Sequence, residues 1–272
     1  MGKPQNAELK KVIYGPVPSW RLGRSLGIDL ISRPKTCSFD CIYCQLGTTR
    51  HQVTRRDEFV PTSRVVCELE SLPALQVDFV TFSGMGEPTL AANLGDAIAQ
   101  VKRRLPRPVA VLTNSSLLAD PGVRAELCLA DLVIAKLDAP DEELFREVNR
   151  PAGSIGFQLV LENLRRLREE YRGRLAIQVM LCRENRNHAS RIAQAIRSLR
   201  PDEVQLNTPL RPSPTPPLSE KEMRQIKQAF MRLPVASVYE AGKVAVQTLD
   251  VAETAARRPP ARVLSEGSND HS

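Results

Sequence analysis

The sequence predicts an α/β protein, a partial (β/α)6 TIM-like barrel whose strands are mainly parallel. Two observations predict it. Six short apolar runs, nearly continuous and rich in β-branched residues, alternate with longer stretches of helical periodicity, as expected for strands covered on both faces. Strict alternation of strand and helix also gives a parallel sheet with right-handed crossovers. Six units are too few to close an eight-stranded barrel, and a doubly wound sheet is the competing arrangement. In either, the active site falls at the carboxyl ends of the strands.

The strand candidates are 26–31, 77–82, 109–113, 132–137, 175–181 and 203–207. The helix candidates are 63–75, 93–105, 121–129, 142–148, 157–171 and 188–199. Asp120 before Pro121 sets an N-cap ahead of a proline at the first helical position. Ser219 with Glu222 makes a capping box that opens a further helix to about Arg232. Residues 1–20, with the proline-rich run YGPVPSW, read as an irregular lead-in to a core domain over 21–235. Residues 209–218, PLRPSPTPPL, cannot be helix or interior strand. Residues 236–250 read as a C-terminal extension with a possible strand, and 251–272 as a disordered tail.

The 272-residue chain is 42% hydrophobic and 25% charged, near globular averages. It has no run of about 18 apolar residues, so no membrane partner is expected. Its N-terminus lacks the apolar stretch of a signal peptide. A cytoplasmic protein is expected, and there clustered cysteines point to metal or redox chemistry more than to disulfides. The net charge of +7 comes mainly from arginine, which suits RNA or another anionic partner. Arg165, Arg166, Arg168 and Arg172, however, share a helical stretch with Glu162, Glu169 and Glu170 and read as a solvated face.

Three of the six cysteines lie in TCSFDCIYCQLGTTR, on the loop after the first strand: Cys37, Cys41 and Cys44, spaced C-x3-C-x2-C. Thiolates grouped in this way bind an iron–sulfur cluster, zinc or copper(I). Three cysteines leave one iron of a cluster open to a substrate or cofactor. Zinc completed by His51, in a non-catalytic interaction module, is the alternative. An electron-transfer protein is a third reading, although a fourth cysteine normally closes such a cluster. Cys67 and Cys128 sit among apolar neighbours in helices, where a free cysteine acts as a small hydrophobe. The second strand runs into SGMGEPTL, whose glycines allow a close backbone approach to a ligand. TNSS, with Asn114, and KLDAP, with Lys136 and Asp138, end the third and fourth strands and suit a ribose, a carboxylate or substrate. Leu181 and Cys182 close the fifth, and Asn207 and Arg211 follow the sixth, facing substrate.

The cysteine loop, with Tyr43 just before its last cysteine, resembles the signature of radical S-adenosylmethionine (radical SAM) enzymes. Gly84, Met85, Gly86 and Glu87 resemble their GGE element. The resemblance implies that Cys37, Cys41 and Cys44 each bind one iron of a [4Fe–4S] cluster, with S-adenosylmethionine chelating the fourth. It implies that Tyr43 and Leu181 lie beside the adenine, that residues 84–87 meet the amino group, and that Asn114 and Asp138 are further cofactor contacts. Arg21, Lys136, Arg150, Asn207 and Arg211 are then expected to meet an anionic substrate. An electron donor such as ferredoxin or flavodoxin is an implied partner, for reductive cleavage to a hydrogen-abstracting 5′-deoxyadenosyl radical. GPVPSWRLGRSLGIDL, NRPAG and QLNTPLRP resemble a subgroup related to wybutosine-type radical SAM oxidoreductases, which makes tRNA an expected partner. The chain departs from that subgroup in showing no flavodoxin-like domain and no cysteine before Cys37.

Overall fold

The computed structural model describes residues 11–32, 34–50, 52–242 and 244–261. Its centre is one eight-stranded sheet in which every strand lies beside its neighbour in sequence. Strands β1 (Ile13–Ser19) and β2 (Gly23–Ile28) form an antiparallel hairpin. Parallel strands follow: β3 (Phe79–Phe82), β4 (Val109–Thr113), β5 (Leu132–Lys136), β6 (Arg174–Met180), β7 (Glu203–Asn207) and β8 (Val235–Ser237). Helices α1 (Thr62–Glu70), α2 (Leu94–Arg104), α3 (Pro121–Leu127), α4 (Glu142–Val148), α5 (Phe157–Glu170), α6 (Ala189–Arg197) and α7 (Glu220–Lys227) occupy the crossovers. The first and last strands do not pair, so the sheet is an open half-barrel, as the strand–helix alternation requires.

Three sequence expectations change. The sheet has eight strands because the lead-in supplies β1 and residues after α7 supply β8. Two prolines fit in β1 because an edge strand needs hydrogen-bond donors on one side only. The third change lies at the other end of the chain. Residues 251–261 were expected to be disordered, yet α8 (Val251–Arg257) is a helix, started by the Asp250 carboxylate accepting from the Glu253 amide at 3.0 Å. The remainder of that expected tail, 262–272, lies outside the described residues.

The sheet's two faces differ, and the difference positions the site. Val109, Val111, Val133, Ala135, Ile177 and Val179 face the helices within the main apolar core. Their alternates Ala110, Leu132, Ile134 and Ala176 join Leu22 in a smaller cluster inside the curve. Further along the same strands the inward positions turn polar, with Lys136 on β5 and Gln178 on β6. The barrel is thus plugged at one end and open to water at its carboxyl end.

The segment carrying α8 closes against the β1 edge. A register shift between Tyr14 and Val17 leaves Gly15 outside the β1–β2 ladder. Its N–H donates to Thr254 Oγ1 at 3.1 Å, and its carbonyl accepts from the Leu249 amide at 2.6 Å and Thr248 Oγ1 at 2.9 Å. Arg257 then enters the interior. Its Nε donates to Asp29 Oδ2 at 2.7 Å, its Nη1 to Glu253 Oε2 at 2.9 Å and its Nη2 to the Lys11 carbonyl. Both side chains of the Arg257–Asp29 pair are buried, at 0% and 1% exposure.

Removing one partner of a buried ion pair strands the other charge. Asp29→Ala is expected to cost about 3–5 kcal/mol in urea unfolding. Asp29→Ala combined with Arg257→Met is expected to recover part of that loss, because no charge then remains unpaired.

Candidate active site

The loop between β2 and α1 carries the three cysteines, and neighbouring strand ends hold it from several sides. The Thr36 amide donates to the Met85 carbonyl at 3.0 Å, and the Glu87 amide donates to the Thr36 carbonyl at 3.3 Å. This crossing is why residue 86 is glycine: a Cβ there would lie 1.6 Å from the Thr36 carbonyl oxygen. The close approach made by Gly86 is therefore to the cysteine loop itself. On the far side, the Asp40 amide donates to the Arg150 carbonyl at 3.1 Å, Ile42 to Val148 at 3.0 Å and Ala152 to Ser38 at 2.9 Å. Phe39 packs edge-on against Phe145 of α4, with ring centroids 5.4 Å apart. The Cys44 amide donates back to the Cys41 carbonyl at 3.1 Å, so the last two cysteines share a tight turn.

All three cysteines open onto one cavity of about 340 Å3 at the carboxyl end of the sheet. Its wall includes Gly84, Gly86 and Glu87 after β3, Asn114 after β4, Lys136, Gln178, Met180 and Asn207. Burial pushes the Cys41 thiol up to about 11 and the Cys37 thiol higher still. Without a cation to hold, these thiols are poor nucleophiles; bound to a metal they ionise outright. Asn114 Nδ2 donates to Cys37 Sγ at 3.5 Å and Asn149 Nδ2 to Cys41 Sγ at 3.6 Å, giving both sulfurs an amide donor. Among the described residues no group of three His, Cys, Asp or Glu side chains converges to hold a single metal ion. His51, the fourth ligand of the zinc alternative, lies outside the described residues.

The other predicted residues divide. Tyr43 lines the cavity, its hydroxyl fixed by the Asp138 carboxylate and by Asn149 Nδ2 at 3.1 Å. Lys136 Nζ lies 5.0 Å from its ring centroid. Asp138 is absent from the wall, because its carboxylate takes Tyr43 Oη, Asn149 Nδ2 at 2.8 Å, the Met180 amide at 2.7 Å and Lys136 Nζ at 3.2 Å. Glu87 is on the wall, but its carboxylate is also engaged. Oε1 accepts from Thr113 Oγ1 at 2.7 Å and Oε2 from the Asn114 amide at 2.6 Å, which ties the ends of β3 and β4 together. Burial raises its pKa even so. Met85 and Leu181 point into the core; Met180, one position earlier, takes the place on the wall expected of Leu181. Cys182 is also buried in the core. Arg21, Asn207 and Arg211 reach the cavity, whereas exposed Arg150 lines a second pocket of about 280 Å3, together with Cys41 and Cys44.

Sequence reasoning missed Gln178, Arg257 and Arg258 on the wall and the anchoring role of Asn149. Gln178 had a signal, a lone amide within an apolar strand. Asp250 and Glu253 had one too, the spacing of a helix start.

The profile of the Radical SAM superfamily matches residues 31–196. A UPF0026 protein from Synechocystis sp. is 42% identical over 203 residues, which span 74% of this chain and 77% of that one. Native anSMEcpe with bound AdoMet superposes with a TM-score of 0.58 at 18% identity, over 79% of this chain and 64% of that one. Archaeal TYW1 superposes with a TM-score of 0.54 at 15% identity, over 77% and 72%, so the expected wybutosine-type kinship extends only to the fold. The chain spans 33% of one longer curated relative and 48% of one solved neighbour. It belongs to the radical SAM superfamily and is an enzyme that uses a [4Fe–4S] cluster and S-adenosylmethionine.

The donor set fits that pair. A cluster gives each thiolate its own iron, so three cysteines around one cavity suit it without converging on a point. Gln178 Nε2, buried on the same wall without a partner, is left for the second ligand.

Cys37→Ala, Cys41→Ala and Cys44→Ala are each expected to lose most of the iron and sulfide retained after anaerobic reconstitution, and Cys182→Ala to keep it. Asn149→Ala removes the amide donor from Cys41 and is expected to make the cluster's reduction potential more negative in an anaerobic redox titration.

Proposed function

We propose that S-adenosylmethionine binds in the cavity beside the cysteines and that hydrogen is abstracted from a substrate held in the same space, in an overall oxidoreduction. The observation that supports this most is the shared cavity. The iron-binding loop, the glycine turn after β3 and the ends of β4–β7 all open into it. When bound, the cluster and S-adenosylmethionine supply reductive cleavage of the S–C5′ bond and a hydrogen-abstracting 5′-deoxyadenosyl radical.

The chain's own residues hold and shield. Cys37, Cys41 and Cys44 provide the iron ligands, and Asn114 and Asn149 direct amide hydrogens at two of them. Tyr43 is held rigid by Asp138 and Asn149, so its ring offers a fixed face to the adenine. Gln178 and Lys136 offer polar contacts, while Met180, Leu112 and Ile134 make the neighbouring wall apolar. The segment carrying α8 covers the edge of the half-barrel beside β1, which limits the access of water and oxygen. The electron comes from an external donor of the ferredoxin or flavodoxin class.

Anaerobically reconstituted protein given dithionite and S-adenosylmethionine is expected to release 5′-deoxyadenosine and methionine, measured by liquid chromatography and mass spectrometry. Cys37→Ala is expected to release none. A fully loaded cluster that yields no 5′-deoxyadenosine would overturn the proposal.

A further inference from the structure

Several arginines of this chain are matched with acids. Arg24 pairs with Asp78, Arg124 with Glu170 and Arg257 with Asp29. Of the four arginines on the cavity wall, Arg257 is paired in this way and the other three are not. Arg21 follows β1, Arg211 follows β7 and Arg258 follows α8, and all three line the cavity that holds the cysteines. No ion pair joins any of them to an acid among the described residues.

Arg258 lies close enough to disfavour the charge of both Arg211 and Arg21. Burial, then Arg258, pulls Arg211 down to about 10, and burial with Arg258 and Arg211 pulls Arg21 down to about 9, against some support from Glu203. Burial lowers Arg258 as well. The Nε atoms of Arg21 and Arg258 are buried without a hydrogen-bond partner. What holds the group in place is neutral. Arg258 Nη2 donates to the Pro18 carbonyl at 3.3 Å, Arg211 Nη1 donates to the Pro259 carbonyl, and Arg21 stacks 5.3 Å from the Trp20 ring centroid. Like charges brought together by neutral contacts, with donors left over, favour an anion between them. Guanidinium forks match phosphate oxygens bidentately, and three of them call for more negative charge than one carboxylate carries.

We propose that Arg21, Arg211 and Arg258 form a seat for a phosphate group, and that the substrate is therefore a phosphorylated molecule. The proposal rests on the cavity also being the reaction site, as proposed above. Arg258 completes the seat, so the segment carrying α8 is part of the substrate site as well as its cover.

The test is calorimetric titration of inorganic pyrophosphate into the anaerobically reconstituted protein, without S-adenosylmethionine or reductant. Failure of radical chemistry therefore leaves this measurement intact. Pyrophosphate is expected to bind, and Arg21→Gln, Arg211→Gln and Arg258→Gln each to weaken it roughly tenfold or more, the effect of one lost charge-assisted contact. The exposed Arg103→Gln control is expected to bind like the wild type, and Arg258→Lys, which keeps the charge, to fall in between. Unfolding midpoints identify any variant whose loss is one of folding, and the remaining two then decide. Tighter binding of a nucleoside diphosphate or of a short RNA than of pyrophosphate would support the seat and name the phosphate's source. No pyrophosphate binding, wild-type affinity in all folded variants, or preference for citrate would overturn it. Competition between pyrophosphate and S-adenosylmethionine would also overturn it, by assigning the arginines to the cofactor's carboxylate.

Discussion

One buried carboxylate sets the positions of three separate parts of this molecule. Asp29, just past β2, accepts at Oδ1 from the amides of Ile31 and Ser32, both at 3.0 Å, and of Met85 at 3.2 Å. At Oδ2 it accepts from Arg257. The first two amides begin the cysteine loop, the third belongs to the glycine turn after β3, and the arginine ends α8. An ion pair out of water seldom repays its desolvation through Coulomb attraction alone. Here the added backbone donors satisfy the remaining lone pairs, and the return is positional. The cysteine loop, the glycine turn and the closing segment are all referenced to the same two oxygens.

The cysteine loop, which has no helix or strand of its own, is rigid by the same logic. Thr36 crosses Gly86 on one side, and Asp40 and Ile42 pair with the backbone after α4 on the other. Backbone strain accumulates at these crossings. Ser32, Ser115 and Arg150 all have positive φ, at 60°, 71° and 45°, and each sits on a loop bounding the site. Such conformations persist where surrounding contacts over-determine them. Arg150 illustrates the point: its carbonyl accepts from Asp40 and from Gln52 Nε2, and its exposed side chain plays no part in the cavity.

The interior of the fold was legible because parallel strands covered on both faces must be continuously apolar, and β4, β5 and β7 fall where the sequence places them. The rim was less so. β1 carries prolines, β8 has three residues and α8 has seven, and each is stabilised by neighbours that no local pattern reveals. The place of the cysteines at the carboxyl end of the sheet was legible from their loop following a strand. Asp138 and Glu87 were correctly found at strand ends, but a residue's position along a strand does not tell whether its carboxylate meets a ligand or the next strand. A one-residue difference in where β6 ends separates Leu181 in the core from Met180 on the wall. Arg258 was invisible because its place depends on how the last described segment folds back over the first strand.

That folding back divides labour along the chain. The proposed iron ligands come from one loop, locked by backbone hydrogen bonds to the strand ends on either side. The wall proposed to recognise substrate is gathered from the β1–β2 turn, a proline-rich loop and a short segment outside the sheet. A reactive radical has little selectivity of its own, so which molecule it meets is decided by these lightly constrained residues. Relatives with the same cysteine loop are then free to diverge in substrate by drift in that closing segment, with the generating machinery left intact.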